Sequence, residues 1–141
     1  MNAKEYLEKI EAYDEIIISK SEEILHWKAI AQNTTAPISE RVQSSGSMQK
    51  MADAVNTYVD IEASLNEDIA RYVKERNEII RLIEKLPAKE YKVLHGRYVM
   101  KKSFKEIGSD NKKDKSWATT MHGRALIHLQ GHLDRKVEQH E

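Results

Sequence analysis

Between Met51 and Leu86 two seven-residue series interleave: Met51, Tyr58, Leu65, Tyr72, Ile79 and Leu86 in one, Val55, Glu62, Ile69, Arg76 and Ile83 in the other. Residues seven apart fall on opposite faces of a strand but on nearly the same side of an α-helix, so the two series read as the seam of a helix that packs on another helix. The spacing predicts one helix over 48–85. At 1.5 Å per residue it is roughly 55 Å long, more than a small globule is wide, so it must be an arm. A neighbour lies upstream: Ala3, Ile10, Ile17, Ile24 and Ala31 repeat every seven residues, with Tyr6, Tyr13, Lys20 and Trp27 three positions on. That predicts a helix over 2–32 with one charge in its seam. Asn33 to Pro37 stops it, because Pro37 disfavours the α conformation at Ala36, and 33–47 reads as a loop with Gly46 and Ser47 near the next helix start.

The expected pairing is an antiparallel helical hairpin over 1–86. Its first helix is the shorter, which leaves Met51, Tyr58, Leu65, Tyr72 and Ile79 to meet the C-terminal region or a second copy; a homo-oligomer is expected. Composition closes other routes for the 141 residues. With 5 Gly, 2 Pro and one Phe, the turn signals of a β-sandwich are missing, while 40% hydrophobic residues are too many for a chain that never folds. No Cys means no disulfide framework, thiolate nucleophile or Cys-held metal. No apolar run approaches a membrane span and the N-terminus lacks a signal-peptide pattern, so a soluble cytosolic all-α protein is expected.

A net charge of zero conceals an asymmetry divided at Leu86-Pro87. Residues 1–86 hold 11 Lys and Arg against 16 Asp and Glu, and residues 87–141 hold 12 against 7. Two domains are expected on this division: an acidic arm, 1–86, and a basic end, 87–141, that either meets an anion or packs on the acidic half. Pro87 opens a helix at a first-turn position, and Tyr91, Leu94, His95, Tyr98 and Val99 share one face of it. Ser103 and Glu106 form a capping box for a short helix that carries Phe104 and Ile107 and fades at Gly108. Asp114 caps a last helix to about Val137, whose buried stripe is Ala118, Met121, Ala125, Leu126, Leu129 and Leu133.

A short capped helix, a tight connection and a longer helix in a basic segment read as a helix-turn-helix, in which the start of the second helix enters the major groove of double-stranded DNA. Groove-side candidates lie off the apolar stripe: Lys115, Ser116, Trp117, Thr119, Thr120 and Arg124. Lys101, Lys102, Lys105, Lys112 and Lys113 are placed to hold phosphates. The bland alternative is a solvated basic face on a helical bundle.

Several stretches carry a resemblance: Met1-Asn2-Ala3-Lys4-Glu5-Tyr6-Leu7; Arg41-Val42-Gln43-Ser44-Ser45-Gly46 followed by Met51-Ala52-Asp53-Ala54-Val55; Leu86-Pro87 with Glu90-Tyr91; Arg97-Tyr98; Ser103-Phe104 with Glu106-Ile107; and Met121-His122-Gly123-Arg124-Ala125-Leu126. In this order the chain resembles small phage and prophage proteins of Gram-positive bacteria with a sigma-factor region-4-like C-terminus, similar to phage late-gene transcriptional regulators. The resemblance implies a sigma-like DNA-binding end, action in the cytoplasm of a bacterial host, and RNA polymerase or promoter DNA as partner. In such a region the motif's first helix usually ends with Ala after Ile, followed by an apolar residue and a turn Gly. Here those places hold Gly108, Asn111 and Lys112, and Asn111 is expected to take the left-handed conformation. Ser116 and Thr120 stand where the family often shows Arg. A second function class stays open: a protein-interaction factor of the antirepressor type, which binds a partner such as a repressor without reading DNA.

Other constellations are weaker. His128 and His132 are four apart and could join His122 or His140 on a metal, yet Leu129 stands where helical zinc hydrolases carry Glu, so no metal or cofactor is expected. Gly96 and Gly123 inside helical patterns imply close backbone packing, and Arg97 and Arg124 are expected to pair with acidic residues or phosphate. No nucleophile context or phosphate loop is found, which argues for a non-enzyme.

Overall fold

The computed structural model describes residues 1–35 and 45–139. Pro37, the Arg41-to-Ser44 part of the resemblance and His140 lie outside the described residues. All regular elements among those described are helical: α1 (Ala3–Thr35), α2 (Ser45–Ile83), α3 (Ala88–Leu94) continued by a π turn (His95–Val99), α4 (Phe104–Asp110) and α5 (Lys115–Gln139). No helix among them is long and apolar enough to cross a membrane. Helix α1 runs through Asn33, Thr34 and Thr35, and α2 takes in Ser45, Gly46 and Ser47, so the expected loop is narrower than 33–47. Asn and Thr cost a helix only a few tenths of a kcal/mol each, too little to end one.

The chain divides into two compact units, Met1–Asp14 with Lys74–Glu141, and Glu15–Val73. Compactness and charge thus divide differently, since Leu86-Pro87 is internal to the first unit. In that unit Leu7 and Ile10 of α1, Ile79, Leu82 and Ile83 of α2, Leu86, Leu94 of α3, and Ala125 and Leu129 of α5 share one core. Each fully buried Leu or Ile contributes roughly 1.5–3 kcal/mol. Leu7 is outside the seven-residue series, yet it is completely buried. Here α1 packs against more than one helix, which needs a wider apolar face than a two-helix seam. The backbone N–H of Ala3 donates to Gln130 Oε1 at 2.7 Å, tying α1 to α5, and Asp14 pairs with Arg76 of α2.

The second unit holds the rest of α1 and α2. Ile17, Lys20, Ile24, Trp27 and Ala31, and from α2 Met51, Val55, Tyr58, Glu62, Leu65, Ile69 and Tyr72, are half-buried or buried, while Ile18, Leu25 and Val59 beside them are exposed. Its one lysine on the α1 seam is neutralised: Lys20 Nζ lies 3.1 Å from Asp68 Oδ2. Glu62 accepts from the Tyr58 hydroxyl, which pushes the phenol pKa up.

Candidate nucleic-acid interface

Helix α4, its turn and the start of α5 are built by local hydrogen bonds that can be followed residue by residue. Ser103, extended at φ −73° and ψ 160°, accepts the Glu106 N–H on its hydroxyl at 3.1 Å and so caps α4. Asp114 Oδ1 accepts the Trp117 N–H at 2.8 Å and caps α5. Between them the Lys113 N–H donates to the Gly108 carbonyl at 2.7 Å, and the Lys112 N–H to that of Ser109 at 3.0 Å.

Two residues make this turn possible, and neither is Asn111. Lys112 takes the left-handed conformation at φ 57°, whereas Asn111 stays at φ −101°. Asn111 instead holds the end of α4 twice over: its backbone N–H and its side-chain Nδ2 both donate to the Ile107 carbonyl, at 3.3 and 2.7 Å. Gly108 packs directly under the turn. A Cβ built there would stand 2.3 Å from the Asp114 carbonyl oxygen, so no other residue fits without backbone movement. The three departures from the resembled pattern thus work together: glycine lets the backbones approach, asparagine caps, and lysine accepts the positive φ.

The second core cluster, Val93, Ile107 and Ala118 with Phe104, Trp117 and Met121 packed on it, holds α3, α4 and α5 together. Trp117, expected on the groove side, is half-buried in this cluster. Lys115, Ser116, Thr119, Thr120 and Arg124 are exposed on α5, together with Lys112 and Lys113. Lys101, at φ 56°, and Lys105 are exposed as well, whereas Lys102 is engaged by Asp110 at 2.8 Å, which raises its pKa. Among the described residues, no carboxylate lies within ion-pair distance of Lys101, Lys105, Lys112, Lys113, Lys115 or Arg124. The Thr119 hydroxyl donates to the Ser116 carbonyl at 3.0 Å inside its own helix.

Among the described residues Arg97 has no acidic partner: its guanidinium lies over the Phe104 ring at 4.4 Å and donates to the Lys102 carbonyl at 3.2 Å. Arg124 lines a cleft of about 400 Å³ with Met121, Pro87 and His128. Gly96 is close-packed as expected, a Cβ there meeting Ile107 Cγ1 at 3.1 Å, but Gly123 has nothing within 4 Å and is not. Pro87 stands one position earlier than expected, as the N-cap of α3, with its carbonyl accepting the Tyr91 N–H at 2.9 Å.

The histidines are engaged separately. His122 Nε2 is 2.8 Å from the Tyr98 hydroxyl, and its ring stacks on Tyr98 and meets Phe104 edge-on. Burial, then the Arg97 and Lys4 charges, hold its pKa below the ordinary value. His128 Nδ1 bonds the buried Glu90 carboxylate of α3. Glu90 was missed from sequence, although its place one turn before Val93 and Leu94 puts it on their buried stripe. No three His, Asp or Glu gather at a metal-binding spacing among the described residues. The five residues expected at an oligomer contact divide: Leu65 and Ile79 are buried within the chain, while Met51, Tyr58 and Tyr72 are half-exposed. No family model matches this chain, and comparison with curated proteins and with solved structures finds no match.

Proposed function

We propose that this chain is a DNA-binding transcriptional regulator of the phage type it resembles, with α4 and α5 as a helix-turn-helix and 1–86 as an antiparallel helical arm. Helix α4 lies against the DNA backbone and the first turns of α5 enter the major groove. Lys101, Lys105, Lys112 and Lys113 hold phosphates, while Lys115, Ser116, Thr120 and Arg124 face base edges. RNA polymerase is the protein partner this reading implies. The observation that carries it is the turn itself: two capped helices joined through a left-handed Lys112 above a Gly108 that no side chain can replace, with unpaired lysines on both sides. The ion pairs Asp14–Arg76 and Lys20–Asp68, whose numbers run in opposite directions, support the antiparallel arm. The half-exposed Met51, Tyr58 and Tyr72 are where a second copy would pack.

One observation favours the antirepressor-type alternative. With Thr119's hydroxyl bonded inside its helix, Arg124 is the one forked donor on the groove side of α5, which is little for reading a sequence. A titration of duplex promoter fragments at several salt concentrations decides between the two. DNA binding predicts that Lys112→Gln with Lys113→Gln weakens all sequences alike and flattens the logarithmic salt dependence by about 1.8, two phosphate contacts' worth. Arg124→Ala then changes site preference. Absence of salt-sensitive binding by the wild-type chain rejects the regulator reading.

A further inference from the structure

The first unit carries a second concentration of positive charge that the helix-turn-helix does not use. The end of α2, the turn after it and the last turns of α5 flank a cleft of about 520 Å³ lined by Arg81, Lys85, His132, Arg135 and Lys136, with Arg135 Nε donating to the Gly131 carbonyl of its own helix at 3.2 Å. Among the described residues Glu78 is the one carboxylate lining it, and none of the four Arg and Lys has an ion pair. Leu82 on α2 and Leu129 on α5 belong to one core, which holds side by side the two helices that carry the cations. The field of these groups is felt inside the cleft: the His132 pKa is lowered, first by desolvation and then by Arg135, Lys85 and His128.

Favourable placement at helix ends explains only part of this. Arg81 and Lys136 occupy the last turns of α2 and α5, where a cation offsets the helix dipole. That accounts for one cation on each helix, not for like charges of two helices facing each other. Such a cleft focuses positive potential and calls for an anion. Its chemistry also indicates which kind. Among the described residues Leu82 is the one apolar residue lining it, whereas a protein partner needs an apolar or aromatic anchor at the centre of its contact. Interfaces with nucleic acid are instead polar and strongly positive.

We propose that this cleft is a second phosphate-binding surface, filled by a stretch of duplex DNA other than the one met by the start of α5. At 100° and 1.5 Å per residue, His132, Arg135 and Lys136 lie about 120°, 60° and 160° round α5 from Thr120 and roughly 18–24 Å along it. A straight duplex seated on the recognition start does not reach His132 or Lys136, which lie more than a right angle round the helix. The protein therefore holds two DNA segments, from one looped molecule or from two, and it rests on the preceding reading only for the identity of the polyanion as duplex DNA.

The test uses the full chain and a labelled random-sequence duplex of about 12 base pairs, a little over one helical turn. Wild type is expected to saturate at two duplexes per chain at low salt. Arg81→Gln with Lys85→Gln, or independently Arg135→Gln with Lys136→Gln, is expected to saturate at one and to flatten the salt dependence by about 1.8. An unchanged unfolding midpoint identifies which of the two pairs is read. Lys112→Gln with Lys113→Gln removes the other duplex. If the cleft variants still bind two duplexes, or if the wild type binds one that only the Lys112 and Lys113 changes weaken, the cleft proposal is overturned and the recognition-helix reading survives. If only the cleft changes weaken binding, the recognition-helix reading fails and the cleft stands as the DNA surface. A poly-glutamate peptide that binds wild type and not the cleft variants, with duplex binding unaltered, makes the site a protein-docking one and likewise overturns the proposal.

Discussion

Two glycines in similar helical contexts have opposite roles. At Gly108 an added Cβ would meet the Asp114 backbone at 2.3 Å, and a backbone atom pinned by a helix cap cannot swing aside as a side chain would. Gly108→Ala is expected to lower stability by about 3 kcal/mol, the upper range for overpacking. At Gly123, inside α5, an added Cβ meets nothing within 4 Å. Gly123→Ala is expected to raise stability by about 0.5–1 kcal/mol, through helix propensity and a less flexible unfolded chain. Urea denaturation of both variants checks the pair; equal effects would show that the close approach of α4 to α5 is wrong. The sequence pattern led to the reverse expectation for Gly123, because a glycine inside a helix looks alike whether its neighbour is a backbone or solvent.

At the scale of elements, the contact of α5 with the π turn favours an uncharged histidine. His122 stacks on Tyr98 and shares a 2.8 Å hydrogen bond with its hydroxyl, in which a neutral ring can accept or donate according to tautomer and a protonated ring can only donate. Its folded pKa lies below the ordinary 6.5, from burial first and then from Arg97 and Lys4. The unfolded chain therefore binds the proton more readily. The stabilisation is complete above the unfolded value and is lost as pH falls from there through the folded value. Urea midpoints are expected to fall between about pH 7.5 and pH 5, and His122→Gln to flatten that fall. Some slope remains in the variant, since His132 is shifted in the same direction. The capping residues of α4 and α5 were readable from sequence because Ser103 and Asp114 act on N–H groups three residues away. The Tyr98–His122 contact spans 24 residues, and no local pattern announces it.

For the whole molecule, the arm's seven-residue series mixes two kinds of residue that sequence treats alike. Ile79 is 3% exposed in the core shared with α5, whereas Tyr58 is half-exposed in the second unit. Ile79→Asp places an unpaired charge in that core and is expected to cost about 4 kcal/mol, lowering the unfolding midpoint whatever the protein concentration. Tyr58→Asp is expected to leave the midpoint of the single chain nearly unchanged and to shift sedimentation toward the monomer. A wild-type chain that sediments as a monomer at tens of micromolar, by order of magnitude a working association, removes the oligomer expectation.

Helical class, the long seams and the two helix caps were determined by the sequence alone, because each rests on periodicity or on bonds within one turn of the chain. The wider face of α1 that buries Leu7 and the placing of Arg81 and Lys85 beside Arg135 and Lys136 were decided by tertiary structure. Each depends on what a distant segment brings alongside. A cation at a helix end reads as ordinary dipole compensation until a second helix end, some fifty residues on, sets its own cations against it.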